Sequence, residues 1–310
     1  MKLKHYLSVT DLSVDETLKI FNLALRLKKQ LKKTGKNKEI LKNKTLAMIF
    51  EKPSLRTRLS FEIGMTQLGG HALYLGPLDI QMGKRESITD VSAVTSRMAD
   101  IIMARTFAHQ TLIDFAVASQ VPVINGLSEL EHPCQALADF LTILEHKKKI
   151  KKLTLCFLGD GKNNVTHSLA LMSAMMGANF TCASPKDYQM NKEIFFQAKK
   201  LAQKTGAKIM ATADPKKAAK NVDVVITDTW ISMGNEKEAK KRLKIFPPYQ
   251  VNQKIMSLAK KNAIFMHCLP AHRNKEVTDE VLDGSQSVVL DEAENRLHAQ
   301  KALLVYLATR

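Results

Sequence analysis

Long apolar runs are missing: no window of the 310 residues approaches eighteen uninterrupted apolar side chains. The opening MKLKHYLSVTDLSVDE likewise has no apolar stretch followed by a small-residue cleavage site. Neither a membrane span nor a secretory signal is expected, and a cytoplasmic location follows from the same reading. Paired cysteines are also missing. Cys134, Cys156, Cys182 and Cys268 stand singly with no C-x-x-C among them. That excludes a zinc ribbon or a disulfide framework and fits a reducing compartment. No repeat of twenty to fifty residues and no low-complexity segment is present. Acidic residues are in deficit, with 47 Lys and Arg against 30 Asp and Glu, a formal charge of +17 and a pI near 9.6. Such a balance raises nucleic-acid binding as a rival hypothesis. Much of the excess, however, lies in lysine runs such as RLKKQLKKTGKNK, EHKKKIKK and EAKKRLK, with no aromatic residues interleaved for stacking on bases. These runs read as solvated helix ends and connections, and no nucleic-acid partner is expected.

What is present is an ordinary globular balance, 45% hydrophobic and 25% charged, over a length that accommodates two domains. Apolar strand-length runs alternate with helical patterns throughout, the signature of parallel α/β architecture. The first half offers TLAMIF, HALYL, DIIMAR and VPVING; the second offers LTLCFLG, NFTCASP, AKIMAT, VDVVITD and NAIFMHC. A helix from Pro133 to His146 carries Leu137, Phe140, Leu141 and Leu144 on one face, and the lysine-rich segment after it places a domain boundary near residue 148.

In open parallel sheets, ligands gather where strands end and loops begin, and the polar clusters of this chain fall there. The densest is SLRTR at 54–58, directly behind the strand TLAMIF and Pro53. Leu59, Ile63 and Thr66 then recur at helical spacing, so Ser54 stands at a helix N-cap. Unpaired N–H groups and the positive end of a helix dipole would bind an anion there, with Arg56, Ser54 and Thr57 adding donors. The alternative is a basic helix start whose arginines are solvated or paired with Glu51 and Glu62. The stretch lacks the glycines and Gly-Lys-Ser/Thr ending of a P-loop. GDGKNN, from Gly159, lacks the third glycine of G-x-G-x-x-G, which leaves a weak dinucleotide signal. His132 alone reads equally as a structural histidine, and Cys268 as a small buried hydrophobe. His267 and His272 have no Glu or Cys partner at a recognised ligand spacing, so no metal and no cofactor are expected.

In order along the chain, SLRTR (54–58), ARTFAH (104–109), HPCQ (132–135), DTWISMG (228–234), HCLP (267–270) and EAENR (292–296) resemble the motif series of the ornithine carbamoyltransferases over nearly the whole length. Ser-x-Arg-Thr-Arg and His-Pro-x-Gln are shared with the wider carbamoyltransferase family, whereas Asp228–Gly234 is similar to the ornithine members rather than those using aspartate, putrescine or N-acetylornithine. The resemblance implies two α/β domains, each a parallel sheet flanked by helices, with a C-terminal helix packing back on the N-terminal domain. Residues 1–147, completed by the helix 291–310, would bind carbamoyl phosphate, and 148–290 would bind ornithine.

The implied chemistry is attack of a side-chain amine on the carbamoyl carbon, with phosphate leaving through a tetrahedral transition state and no covalent enzyme intermediate. Thr57, Arg105 and His132 would point at the carbonyl oxygen, where developing charge makes preorganised donors most effective. Ser54, Arg56 and Arg105 would hold the phosphate, with Leu55 supplying backbone. Gln135 and the carbonyls of Cys268 and Leu269 would fix the carbamoyl amide, with Arg296 nearby. Asn164 would take ornithine's α-carboxylate, Asp228 with Ser232 its α-ammonium, and Met233 would contribute backbone. Cys268 would orient the reacting amine and assist its deprotonation. Gln81 would complete the site of a neighbouring subunit in a homotrimer. Putrescine or N-acetylornithine as the amine, or a basic nucleic-acid-binding protein, are the alternative readings. Leu55, where many family members have threonine, and Asn274, where glycine is common, are departures from the pattern.

Overall fold

The computed structural model describes residues 5–81, 85–232, 234 and 236–309; Met233 lies outside them. Two compact units divide the chain, one comprising Met1–Ala138 with Glu294–Arg310, the other Asp139–Ala293.

The sheet of the first unit is formed by β1 (Thr45–Phe50), β2 (His71–Leu75), β3 (Ile101–Arg105) and β4 (Val123–Leu127), all parallel, in the order β2-β1-β3-β4. Each expected run of the first half thus forms a strand. VPVING begins pairing only at Val123, because Pro122 has no N–H to give and serves through its carbonyl, which accepts from the Ile102 N–H. The inner strands are buried on both faces, as parallel sheets with helical cover require. Ala47, Ile49, Ile102, Ala104, Leu112 and Phe115 pack on one side. A capping box of Ser13 and Glu16 starts the Val14–Thr34 helix, and Gly35 at φ +72° ends it.

The C-terminal helix, Val289–Ala308, returns to this unit. Its residues Ala299, Ala302, Leu303 and Leu304 are fully buried. Lys301 Nζ reaches Asn37 Oδ1 and Gln67 Oε1, both at 2.7 Å. Burial pulls this ammonium down to about 8.

The second unit carries β5 (Thr154–Leu158), β6 (Asn179–Ala183), β7 (Ile209–Thr212), β8 (Val224–Thr227) and β9 (Ile264–His267). These five are also parallel, in the order β7-β6-β5-β8-β9. Cys156, Leu158, Val225 and Phe265 anchor one face of its core. The two glycines of GDGKNN have backbone reasons to be there. Gly159 sits at φ +142°, and a Cβ on Gly161 would come within 2.6 Å of the Tyr188 carbonyl oxygen. Asn274 adopts φ +63°, a conformation asparagine tolerates, and its amide donates to Asp279 Oδ2 at 3.0 Å, so the turn is kept without glycine. No helix among the described residues is long and apolar enough to cross a membrane.

Strand order reverses once in each sheet, between β1 and β3 in the first and between β5 and β8 in the second. Such reversals open a crevice at the carboxyl ends of the strands, and the polar motifs converge on both.

Candidate active site

At the first reversal the chain leaves β1, passes Pro53 and enters the Leu55–Gln67 helix, with Ser54 as N-cap accepting the Thr57 N–H at 3.3 Å. Thr57 is buried in the first turn, and its hydroxyl oxygen accepts from two guanidiniums. Arg105 Nη1, from the last residue of β3, lies 3.3 Å away, and so does Arg296 Nη2, from the C-terminal helix. Arg296 Nη1 also donates to Gln135 Oε1 at 2.7 Å, which ties in the Pro133–Lys147 helix. Four residues from four separate motifs are thereby joined through one hydroxyl and one guanidinium.

Arg56 and Arg58, two residues apart, have different fates. Arg58 is ion-paired with Glu62 at 2.9 Å and lies over the Tyr74 ring at 4.1 Å. Arg56 is half-buried and has no carboxylate partner among the described residues. The paired reading therefore applies to Arg58 and not, among the described residues, to Arg56.

His132, at the start of the Pro133–Lys147 helix, is buried. Burial, then the charges of Arg296, Arg105, Lys52 and Arg56, hold its imidazole well below the usual histidine range. It is a neutral hydrogen-bonding group at physiological pH. Lys52 is pulled down to about 8, first by burial and then by Arg105, and its ammonium lies 4.7 Å from the Phe107 ring centroid. Beyond burial, both shifts register neighbouring positive charge that an anion would relieve.

The side chains of two expected residues of this unit line other surfaces. Leu55 is 68% exposed and lines an outer groove of ≈ 460 Å³ with Arg58, Leu59 and Ile63. Gln81, at φ +51°, lines an open pocket of ≈ 500 Å³ with Phe50, Pro77, Leu78 and Phe107.

At the second reversal the charge is negative. Asp228, directly after β8, accepts at Oδ1 from the Cys268 thiol at 3.2 Å and from the Thr229 N–H at 2.8 Å. Its Oδ2 accepts from Asn163 Nδ2 at 2.7 Å. The same amide lies 3.5 Å from Ser232 Oγ, and Asn163 Oδ1 caps the helix that begins at Asn164. Asn163 is not among the expected residues, although it stands beside Asn164 in a doubled asparagine.

Cys268 follows β9. Burial, then Asp228, Glu292 and Asp139, push its thiol well above the ordinary value. It is therefore a neutral donor to Asp228 at neutral pH. Glu292 Oε2 accepts the His267 N–H at 2.9 Å, and Leu269, at φ +56° before a cis bond to Pro270, donates its N–H to His267 Nδ1 at 2.9 Å. Ligand atoms of Asp228, His267 and Cys268 lie within 4.8 Å of one another. His267 engages both ring nitrogens, however, Nδ1 with Leu269 and Nε2 with Glu276 Oε1 at 3.3 Å, so a metal there would have to displace a bond.

Residues 4–145 match the aspartate/ornithine carbamoyltransferase carbamoyl-P binding domain, and residues 151–307 match the Asp/Orn binding domain of the same family. The chain is 53% identical over 304 residues to an ornithine carbamoyltransferase of Methanobrevibacter smithii, covering 98% of this chain and 99% of that protein. It is 51% identical over 305 residues to one of Archaeoglobus fulgidus, covering 98% and 97%. Among solved structures, the ornithine carbamoyltransferase from Pyrococcus furiosus superposes with a TM-score of 0.93 at 48% identity, covering 97% of this chain and 96% of that one.

Proposed function

The chain belongs to the aspartate/ornithine carbamoyltransferase family and transfers the carbamoyl group of carbamoyl phosphate to L-ornithine, giving citrulline and phosphate; on that premise we propose how its residues divide the work. Residues 1–147 with 291–310 take carbamoyl phosphate, and 148–290 take ornithine. Arg56, Arg105 and the helix start at Ser54 neutralise the phosphate, with the Leu55 N–H among the donors, and stabilise it as it leaves. Thr57, Arg105 and neutral His132 face the carbonyl oxygen, whose charge grows as the amine nitrogen bonds to carbon and the carbon–oxygen bond to phosphate breaks. Gln135, held by Arg296, and the carbonyls of Cys268 and Leu269 fix the carbamoyl amide. Asn164 binds the α-carboxylate of ornithine; Asp228 and Ser232 bind its α-ammonium, and Met233 supplies backbone. The side-chain amine must arrive uncharged, and Cys268, kept as a thiol, orients it without competing as an anion.

The observation that carries this reading is the Thr57 hydroxyl shared by Arg105 and Arg296, beside an imidazole that burial, and then the same arginines, keep neutral. Ornithine, putrescine, aspartate and N-acetylornithine assayed in parallel with carbamoyl phosphate test it. Ornithine should lead by orders of magnitude, and equal use of putrescine would remove Asp228 and Asn164 from their roles.

The assembly is a cytoplasmic homotrimer in which Gln81 completes a neighbour's site. Co-refolding Arg56→Ala with Gln81→Ala chains should give more activity than the two preparations summed. Strict additivity in proven mixed trimers would confine each site to one chain.

A further inference from the structure

Arg242 belongs to the run EAKKRLK, whose expected solvation does not hold for this residue: it is buried and tied to both loops of the second strand reversal. It lies in the short Ala239–Ile245 helix and is 3% exposed. Nη1 donates to Asp160 Oδ2 at 2.5 Å and to the Trp230 carbonyl at 2.9 Å, while Nε donates to Glu238 Oε2 at 3.0 Å. The guanidinium carbon is 4.7 Å from the Tyr188 ring centroid and 5.8 Å from that of Phe246.

What matters is where those partners sit. Asp160 belongs to the loop after β5 and organises it: Oδ1 accepts the Lys162 N–H at 2.9 Å, and its carbonyl accepts from Thr166 Oγ1 at 3.0 Å. This is the loop that delivers Asn163 and Asn164. Trp230 lies two residues past Asp228 and two before Ser232, in the loop after β8. One nitrogen of Arg242 therefore bridges the two loops. The Asn163–Asp228 hydrogen bond bridges them a second time, through one proposed ligand, Asp228, and the residue next to the other, Asn164.

An α-amino acid presents its carboxylate and ammonium at a fixed separation, across a single carbon. A site that reads both needs its two loops at a fixed separation too, and side-chain planarity makes arginine a suitable spacer. We propose that Arg242 is a positioning residue that sets the distance between the carboxylate and ammonium ligands, and so selects the α-amino-acid head group of the acceptor. This rests on the assignment of Asn164 and Asp228 to that head group.

Arg242→Lys keeps the charge and loses the planar fork. The probe is L-norvaline, which has ornithine's head group and no side-chain amine, titrated in the presence of carbamoyl phosphate and followed by the fluorescence of Trp230, the chain's single tryptophan. The expected result is norvaline binding weakened about 30-fold, an ornithine KM raised comparably, and a carbamoyl phosphate KM within about twofold of the parent. Asp160→Asn removes the same strut from its other end and should weaken norvaline about tenfold, which keeps the test available if the lysine variant does not fold.

Norvaline and ornithine constants unchanged in both variants, even with a lowered melting temperature, would overturn the proposal: Arg242 would then serve packing alone. A carbamoyl phosphate KM rising by the same factor would overturn it as well. Asp228→Asn is run alongside. If it too leaves norvaline binding intact, the ligand assignment beneath the proposal has failed; if it weakens norvaline while both strut variants do not, only the spacer role has failed.

Discussion

The two strand reversals have the same topology and opposite charge. Between β1 and β3, Arg56, Arg105, Arg296 and Lys52 surround His132, and burial with their combined field drives its proton off. Between β5 and β8, Asp228 receives the Cys268 thiol, and burial with Asp228, Glu292 and Asp139 keeps that proton on. Desolvation acts on both groups and favours the neutral form of each; the local charges then push in the same direction as desolvation at each site. The result is two neutral, hydrogen-bonding side chains beside strongly charged walls. A parallel α/β sheet fixes where a ligand goes, while the side chains on the loops decide which sign of ligand it is.

The largest test of this contrast is at Arg56. Arg56→Ala should cost about 10³-fold or more in kcat/KM, roughly 4 kcal/mol, with folding retained by circular dichroism. Turnover close to the parent enzyme's would mean the phosphate is held elsewhere. On the negative side, Asp228→Asn should raise the ornithine KM by about 10²-fold and leave that of carbamoyl phosphate within about twofold. Equal shifts in both constants would make Asp228 a structural residue.

A subtler effect belongs to His132. Its folded-state affinity for a proton is depressed, so between that low value and the ordinary 6.5 the unfolded chain binds a proton that the folded chain does not. Stability should therefore be present above about pH 6.5 and be lost progressively as the pH falls below it. His132→Gln should flatten this part of the urea-midpoint profile. An identical acid slope in the two proteins would show that the imidazole is not held neutral. The smallest effect is expected at Leu55. Its side chain is mostly exposed on the outer groove, so Leu55→Thr should change kcat/KM by no more than about threefold. A gain of an order of magnitude would mean that the hydroxyl found in many relatives touches the ligand.

All nine strands of the described residues could be read from the sequence because buried parallel strands are written as apolar runs bounded by polar loops. The candidate site residues came through the resemblance, whose motifs SLRTR, HPCQ and HCLP are local words, each concentrated on one loop. What the sequence did not show was how those words join. Thr57 meets Arg296 across 239 positions, and nothing local to either residue announces the contact. Arg242 reads as part of a solvated lysine run because its neighbours are lysines, whereas its chemistry comes from Asp160, 82 positions away. The two arginines of SLRTR could not be told apart in sequence either. Helix geometry separates them, placing Glu62 one turn from Arg58 and leaving Arg56 unpaired among the described residues.

The return of the C-terminal helix to the first unit also bears on how the protein is made. Arg296, Lys301 and Asn295 leave the ribosome only after the whole of Asp139–Ala293 has been synthesised, yet their partners Thr57, Gln135, Asn37, Gln67 and Lys28 all precede it. At about 5–20 residues per second, the nascent first unit waits roughly 8–30 s for its last helix. During that interval Gly64, which will press against Lys301, Leu297 and Leu304, and the apolar surface around it have no cover. The unit that holds the cationic strand reversal is begun first and completed last.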